Sequence, residues 1–194
     1  MIYSNLEFLI FFIIVFALYW LIDGRKRLYV LLLASYLFYA SWNVKFLVLI
    51  LGSTLLDFVV GLQLERVAPE QRIRWLAVSV TGNLLVLSIF KYCDFFIKSA
   101  GELCALLGIG VEVQTLNLIL PVGISFYTFQ SMSYTIDVYR GQIRACNSLV
   151  HFMLYVSFFP QLVAGPIVRA CDLLTQFAAP PRFSSEFIIS GGRL

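Results

Sequence analysis

The chain has 194 residues, 60% of them hydrophobic and 13% charged, with a formal net charge of +3 and a mean hydropathy of +0.88. A soluble domain of this length has too few polar residues to coat so much apolar surface, so the composition excludes a water-soluble globule and predicts an all-α polytopic membrane protein. Its Lys and Arg residues fall in short groups and not along a basic stripe, which argues against nucleic acid as a partner.

A helix needs about 20 apolar residues to cross the hydrocarbon, with a range of about 17 to 25. The first run, 6–22, starts almost at Met1 without a basic leader or a small-residue cleavage site, and is read as a retained span and not a signal peptide. The runs 28–40 and 45–64 follow, joined by the tight SWNVK connection, and 75–92 is a fourth, with Trp75 and Tyr92 where interfacial aromatics are expected. The 28–40 run is short, so a hairpin that does not cross stays open. Arg25, Lys26 and Arg27 follow the first span and Arg66, Arg72 and Arg74 follow the third, against Lys45 alone between the second and third. The positive-inside rule then puts these clusters in the cytoplasm and the N-terminus outside.

From Asp94 the pattern changes. Asp94, Lys98 and Glu102 recur at i+4 with apolar residues on other faces, which predicts a separate amphipathic helix over 94–108 lying along the interface. The next run, 116–139, carries Pro121 and Gly123 at its start and then Tyr127, Gln130, Ser131 and Tyr134 on one arc of about 100 degrees, which should face protein or a watery cavity. The last run, 148–168, holds Pro160, Gln161, Gly165 and Pro166. Unpaired backbone groups in lipid cost several kcal/mol each, so these residues predict a broken helix lining a cavity, with a packing kink or a span end as the alternative. A Pro-Pro turn and the start of a further helix near Ser184 follow.

Other polar groups read more plainly. Asp57 and Asn83 suit interhelical hydrogen bonds. Asp137 and Arg140 suit an interfacial ion pair, with a substrate contact as the other reading. The single histidine, His151, has Leu154 and Tyr155 at i+3 and i+4 and no acidic partner there, so it is not assigned as catalytic. Cys93, Cys104, Cys146 and Cys171 match no ligand spacing, so no metal site is expected.

Two segments together carry a resemblance. LPVGISFYTFQSMSYTIDVYRGQI, followed closely by LYVSFFPQLVAGPIVRACDLLTQF, is similar to the alginate O-acetylation branch of the membrane-bound O-acyltransferases, and LLLASYLFYASW fits the same pattern. The resemblance implies an N-terminal portion of one such transmembrane domain, a helical bundle with broken or re-entrant helices in the bacterial inner membrane. It implies passage of acetyl groups, with acetyl-CoA as donor and no bound cofactor, to periplasmic polysaccharide acetyltransferases and so indirectly to an exported polysaccharide such as alginate. The family's histidine, general base or acyl relay, lies in a C-terminal half with no counterpart here, so these residues alone are expected to be inactive. Pro121, Gly123, Tyr127, Gln130, Pro160, Gln161, Gly165 and Pro166 become candidates for a tunnel wall. A transporter built on broken helices, or a scaffold docking through 94–108, are the alternative functions.

Overall fold

The computed structural model describes residues 6–22, 24–108, 114–116, 118–162, 165 and 168–178. The described residues form eight helical elements and no strand: α1 (Leu6–Leu21), α2 (Lys26–Ala40), α3 (Phe46–Arg66), α4 (Pro69–Leu106), α5 (Ile124–Tyr139), α6 (Leu149–Ser157), α7 (Phe159–Leu162) and α8 (Ala170–Ala178). α3, α4 and α5 pack on one another as the centre, α2 and α6 lie against that group, and α1 adds to α2.

Local sequence sets most of the boundaries. Pro69 opens α4 at its first position, where a missing N–H costs nothing and φ is already helical. Ser148 caps α6 by accepting a hydrogen bond from the His151 N–H at 3.4 Å. α5 ends in a Schellman arrangement: Gly141, at φ +71°, donates to the Val138 carbonyl at 3.0 Å and Gln142 donates to the Asp137 carbonyl at 2.9 Å.

Two sequence expectations change. The helix over 94–108 is present to Leu106, but as the uninterrupted continuation of α4 and not as a separate element. Hydropathy falls at Asp94 while nothing between Lys91 and Leu106 stops the backbone, since this stretch has no proline and its single Gly101 is tolerated. The resulting 38-residue helix is about 57 Å long, roughly twice the hydrocarbon thickness. Asp94 faces the chain that follows: its carboxylate accepts the Leu116 N–H at 2.9 Å and the Leu118 N–H at 3.1 Å. The second change concerns Asp137 and Arg140, which form no ion pair among the described residues. Arg140 is instead the exposed C-cap of α5.

One end of the bundle is basic. Arg72 of α4 donates to the Val138 carbonyl at 3.0 Å and lies over the Tyr139 ring at 5.5 Å. Glu65 of α3 accepts the Ala145 N–H at 2.6 Å, and the Tyr134 hydroxyl accepts the Cys146 N–H at 2.9 Å. Residues 140–148 are thereby tied to α3 and α5, whose end is held by α4, and α6 rises from the same end. Arg25 lines a cleft there with Ser148 and His151. The groups around residues 25–27, 66–74 and 140–144 therefore share one end.

Gly123 lies at the opposite end of α5, at φ +74°, and a Cβ there would come within 2.7 Å of the Leu162 carbonyl oxygen. Gly123→Ala in the full-length protein is expected to cost about 1–3 kcal/mol from backbone strain alone. Gly52→Ala, with nothing within 4 Å of the added carbon, should leave stability unchanged or raise it slightly. Thermal unfolding in detergent compares the two, and equal midpoints would show that Gly123 is not a contact point.

Candidate functional site

A helix broken inside a bundle exposes a carbonyl and an N–H that would have bonded each other. Pro160 enforces such a break, because in a continuous helix its ring would strike the carbonyl of Val156. Phe158 leaves the helix at ψ 107°, and Pro160 falls at the second position of α7, where no N–H is needed. Among the groups released are the Tyr155 carbonyl and the Phe159 N–H. The carbonyl accepts from the side-chain amides of Gln130 at 2.6 Å and Gln161 at 3.3 Å. The N–H donates to the Ser35 hydroxyl of α2 at 3.2 Å. Tyr155 returns the bond from α6, its hydroxyl donating to the Gln130 carbonyl at 3.1 Å.

The two interruptions read from the sequence therefore meet. Gly123 abuts Leu162 of α7, and Pro121, buried, accepts the Ile124 N–H at 3.2 Å through its carbonyl. The Tyr39 hydroxyl of α2 donates to the Val122 carbonyl at 3.1 Å, with Tyr39 edge-on to Tyr127 at 6.4 Å between centroids. Tyr127 and Gln130 are fully buried and Gln161 nearly so. Gly165 follows α7, its N–H donating to the Gln161 carbonyl at 2.9 Å. Pro160 is exposed and lines an apolar cleft on the outer side of α7. Pro166 lies outside the described residues. The Gln130 side-chain oxygen is buried without a partner among the described residues, so this junction holds an unused acceptor.

A second polar centre lies deeper, among α3, α4 and α5. Both carboxylate oxygens of Asp57 accept from the Asn83 amide, at 2.9 and 2.8 Å. One also accepts from the Ser79 hydroxyl and the other from Ser131. Around them, Ser79 and Thr135 share a hydrogen bond at 3.0 Å, and Ser53 donates to the Asn83 side-chain oxygen at 2.6 Å. Asp57 and Asn83 are the interhelical groups that the sequence suggested. Their partners were missed, although the signal exists: Ser53/Asp57, Ser79/Asn83 and Ser131/Thr135 each lie four apart, which stacks them on one helix face. Asp57 receives four hydrogen bonds from three donor atoms, which fills the roughly four acceptor sites of a carboxylate. That arrangement suits a structural hub and not a group waiting to move a proton.

His151 belongs to neither centre. It is partly exposed and lines the cleft at the basic end with Arg25, Tyr29 and Ser148. Among the described residues no three of His, Cys, Asp and Glu come together as a metal site would require.

The distribution of polarity defines the class. Asp57 and Asn83 are 0% and 2% exposed, whereas Val48 and Leu55 on α3 and Leu85 on α4 are 71%, 45% and 59% exposed. An apolar coat over a hydrogen-bonded polar centre is stable where the solvent is lipid, and α3 and α4 are long and apolar enough to cross a bilayer. The chain is a helical membrane protein.

Known proteins agree. The chain is 44% identical over 180 residues to a protein named probable alginate O-acetylase AlgI of Pseudomonas aeruginosa, covering 91% of this chain and 34% of that relative. The protein of the same name in Pseudomonas putida is 42% identical over 182 residues, 91% of this chain and 37% of the relative. A peptidoglycan O-acetyltransferase of Helicobacter pylori is 37% identical over 172 residues, 76% of this chain and 32% of the relative. These likenesses are consistent with the alginate O-acetylase-like branch of the membrane-bound O-acyltransferases, and the chain spans about a third of the length of these relatives. No family model and no solved structure matches it.

Asp57→Ala should leave the Ser131 hydroxyl and part of the Asn83 amide unpaired, at about 1–3 kcal/mol for each stranded donor. Ser79→Ala, which removes a single donation, should cost about 1 kcal/mol. Unfolding of the detergent-solubilised full-length protein reads both losses. An Asp57→Ala protein that unfolds at the wild-type temperature would deny the carboxylate its organising role.

Proposed function

We propose that this chain forms part of a membrane O-acetyltransferase that passes acetyl groups across the bacterial inner membrane for O-acetylation of an exported polysaccharide such as alginate. The observation that carries the reading is the 42–44% identity to proteins named probable alginate O-acetylase, over 91% of this chain. The donor is acetyl-CoA. The acetyl carbonyl carbon leaves the thioester sulfur and ends in an ester with a polymer hydroxyl, and the proton lost from the hydroxyl appears on the CoA thiol. Periplasmic polysaccharide acetyltransferases receive the group before the polymer does.

In this reading the protein crosses the membrane several times with its N-terminus outside. Collection of the basic groups near residues 25–27, 66–74 and 140–144 at one end supports a cytoplasmic placement of that end. The paired breaks form part of the wall of the acetyl passage, with Pro121, Gly123, Tyr127, Gln130, Pro160, Gln161, Gly165 and Pro166 shaping it. The unused Gln130 oxygen supports that role, since it can accept from a hydroxyl or a water in the passage. Relatives named for alginate and for peptidoglycan favour a transferase over a transporter or a scaffold.

Loss of the gene should remove base-labile acetate from the secreted polysaccharide while polymer yield persists, and the full-length gene should restore it. Loss of polymer with normal acetylation of what remains would favour the transporter or scaffold. Gln161→Leu in the full-length protein leaves Gln130 to hold the Tyr155 carbonyl, so the protein should accumulate normally while polymer acetylation falls several-fold. Unchanged acetylation would take the α6–α7 break out of the passage.

A further inference from the structure

Two clefts on the outer side of the bundle share a residue. The first, about 270 Å³, runs between α1, α2, α7 and α8, and its walls include Phe12, Phe16, Trp20, Phe159, Pro160 and Phe177. Among the described residues no charged one lines it. The second, about 460 Å³, opens at the basic end and is lined by Arg25, Tyr29, Ser148 and His151, with Phe177 again on its wall. An aromatic trough on the lipid side of the bundle thus runs into a pocket with a cationic rim, and among the described residues no acidic one lines either part.

The cations at that rim differ in availability. Arg27 is engaged, donating to the Ile22 carbonyl at 2.6 Å and lying over the Tyr19 and Trp20 rings at 5.3 and 5.2 Å. Its stacking holds Trp20 at the mouth of the trough. Arg25 and Lys26 are exposed. The charge at the rim therefore suits an anion, and the adjoining trough suits a hydrocarbon chain. The α6–α7 break contributes to the trough, since it turns Phe159 and Pro160 onto this wall. Phe159 packs there edge-on to Phe11 at 5.3 Å between centroids.

We propose that this composite groove holds one anionic phospholipid, its acyl chain in the aromatic trough and its headgroup at Arg25 and Lys26. An ordinary lipid of the surrounding bilayer needs no such charge, so headgroup preference separates a bound lipid from a passing one. The proposal is independent of the acetyl-transfer reading and needs only that the protein resides in a bilayer.

The full-length protein would be placed in phosphatidylcholine nanodiscs with a small proportion of phosphatidylglycerol carrying a diazirine in its acyl chain. After illumination, label is expected on peptides from residues 12–20 and 170–178, and unlabelled phosphatidylglycerol should compete far better than phosphatidylcholine. Arg25→Gln should raise the phosphatidylglycerol content needed for half-maximal labelling about five-fold, and adding Lys26→Gln should raise it by a similar factor again. Gln176→Trp, which fills the trough from its exposed edge, should remove the label while the protein stays monodisperse. Labelling indifferent to headgroup and to Arg25→Gln would overturn the proposal, leaving only bulk lipid at this surface. So would an unlabelled trough, or one cross-linked to another part of the same polypeptide.

Discussion

Inside this bundle a polar group removed from water must find its partner in the protein. Asp57 shows the constraint most directly. Its two oxygens take donations from two other helices, through Ser79 and Asn83 of α4 and Ser131 of α5. Hydrophobic attraction does not hold helices together where lipid tails are as apolar as leucine, so interhelical hydrogen bonds and close packing fix the arrangement. Close packing is visible beside the carboxylate, where Gly61 of α3 admits the Tyr134 side chain so closely that a Cβ would lie 2.6 Å from its hydroxyl. The order of α3, α4 and α5 follows from this centre, and α6 and α7 are placed against it through Gln130 and Tyr155.

Much of the fold was legible in the sequence, because apolar runs longer than ten residues leave few choices other than helix. The interruption at Pro160 was legible for a steric reason that acts within four residues, and the buried arc of Tyr127, Gln130, Ser131 and Tyr134 was legible from helical period alone. Partners remote in sequence were not. Ser35 satisfies the Phe159 N–H from 124 residues away, and no local pattern marks that serine as its partner. The continuity of α4 past Asp94 was obscured for a different reason. Hydropathy reports the solvent around a helix, while continuity depends on the absence of backbone breakers.

The two ends of the molecule differ in kind. At one, Glu65 of α3 and Tyr134 of α5 hold the 140–148 segment and Arg72 of α4 holds the end of α5, giving a charged rim. At the other, the two chain breaks meet, with Gly123 against Leu162. The Asp57 centre, with its donors and acceptors matched, stiffens the span between them.

The bonds at the α6–α7 break also constrain how the sequence can change over generations. Replacing Pro160 by a helix former would let Tyr155 and Phe159 pair, but it would strand the amides of Gln130 and Gln161, while the Ser35 hydroxyl would keep only its donation to the Leu31 carbonyl. Replacing Ser35, or both glutamines, first would expose a backbone group that the proline keeps open. Loss of Pro160 or of Ser35 alone therefore leads downhill from a satisfied arrangement. An interruption that begins as a defect in a helix thus becomes hard to lose, and lineages carrying it should change these four positions together or leave them alone.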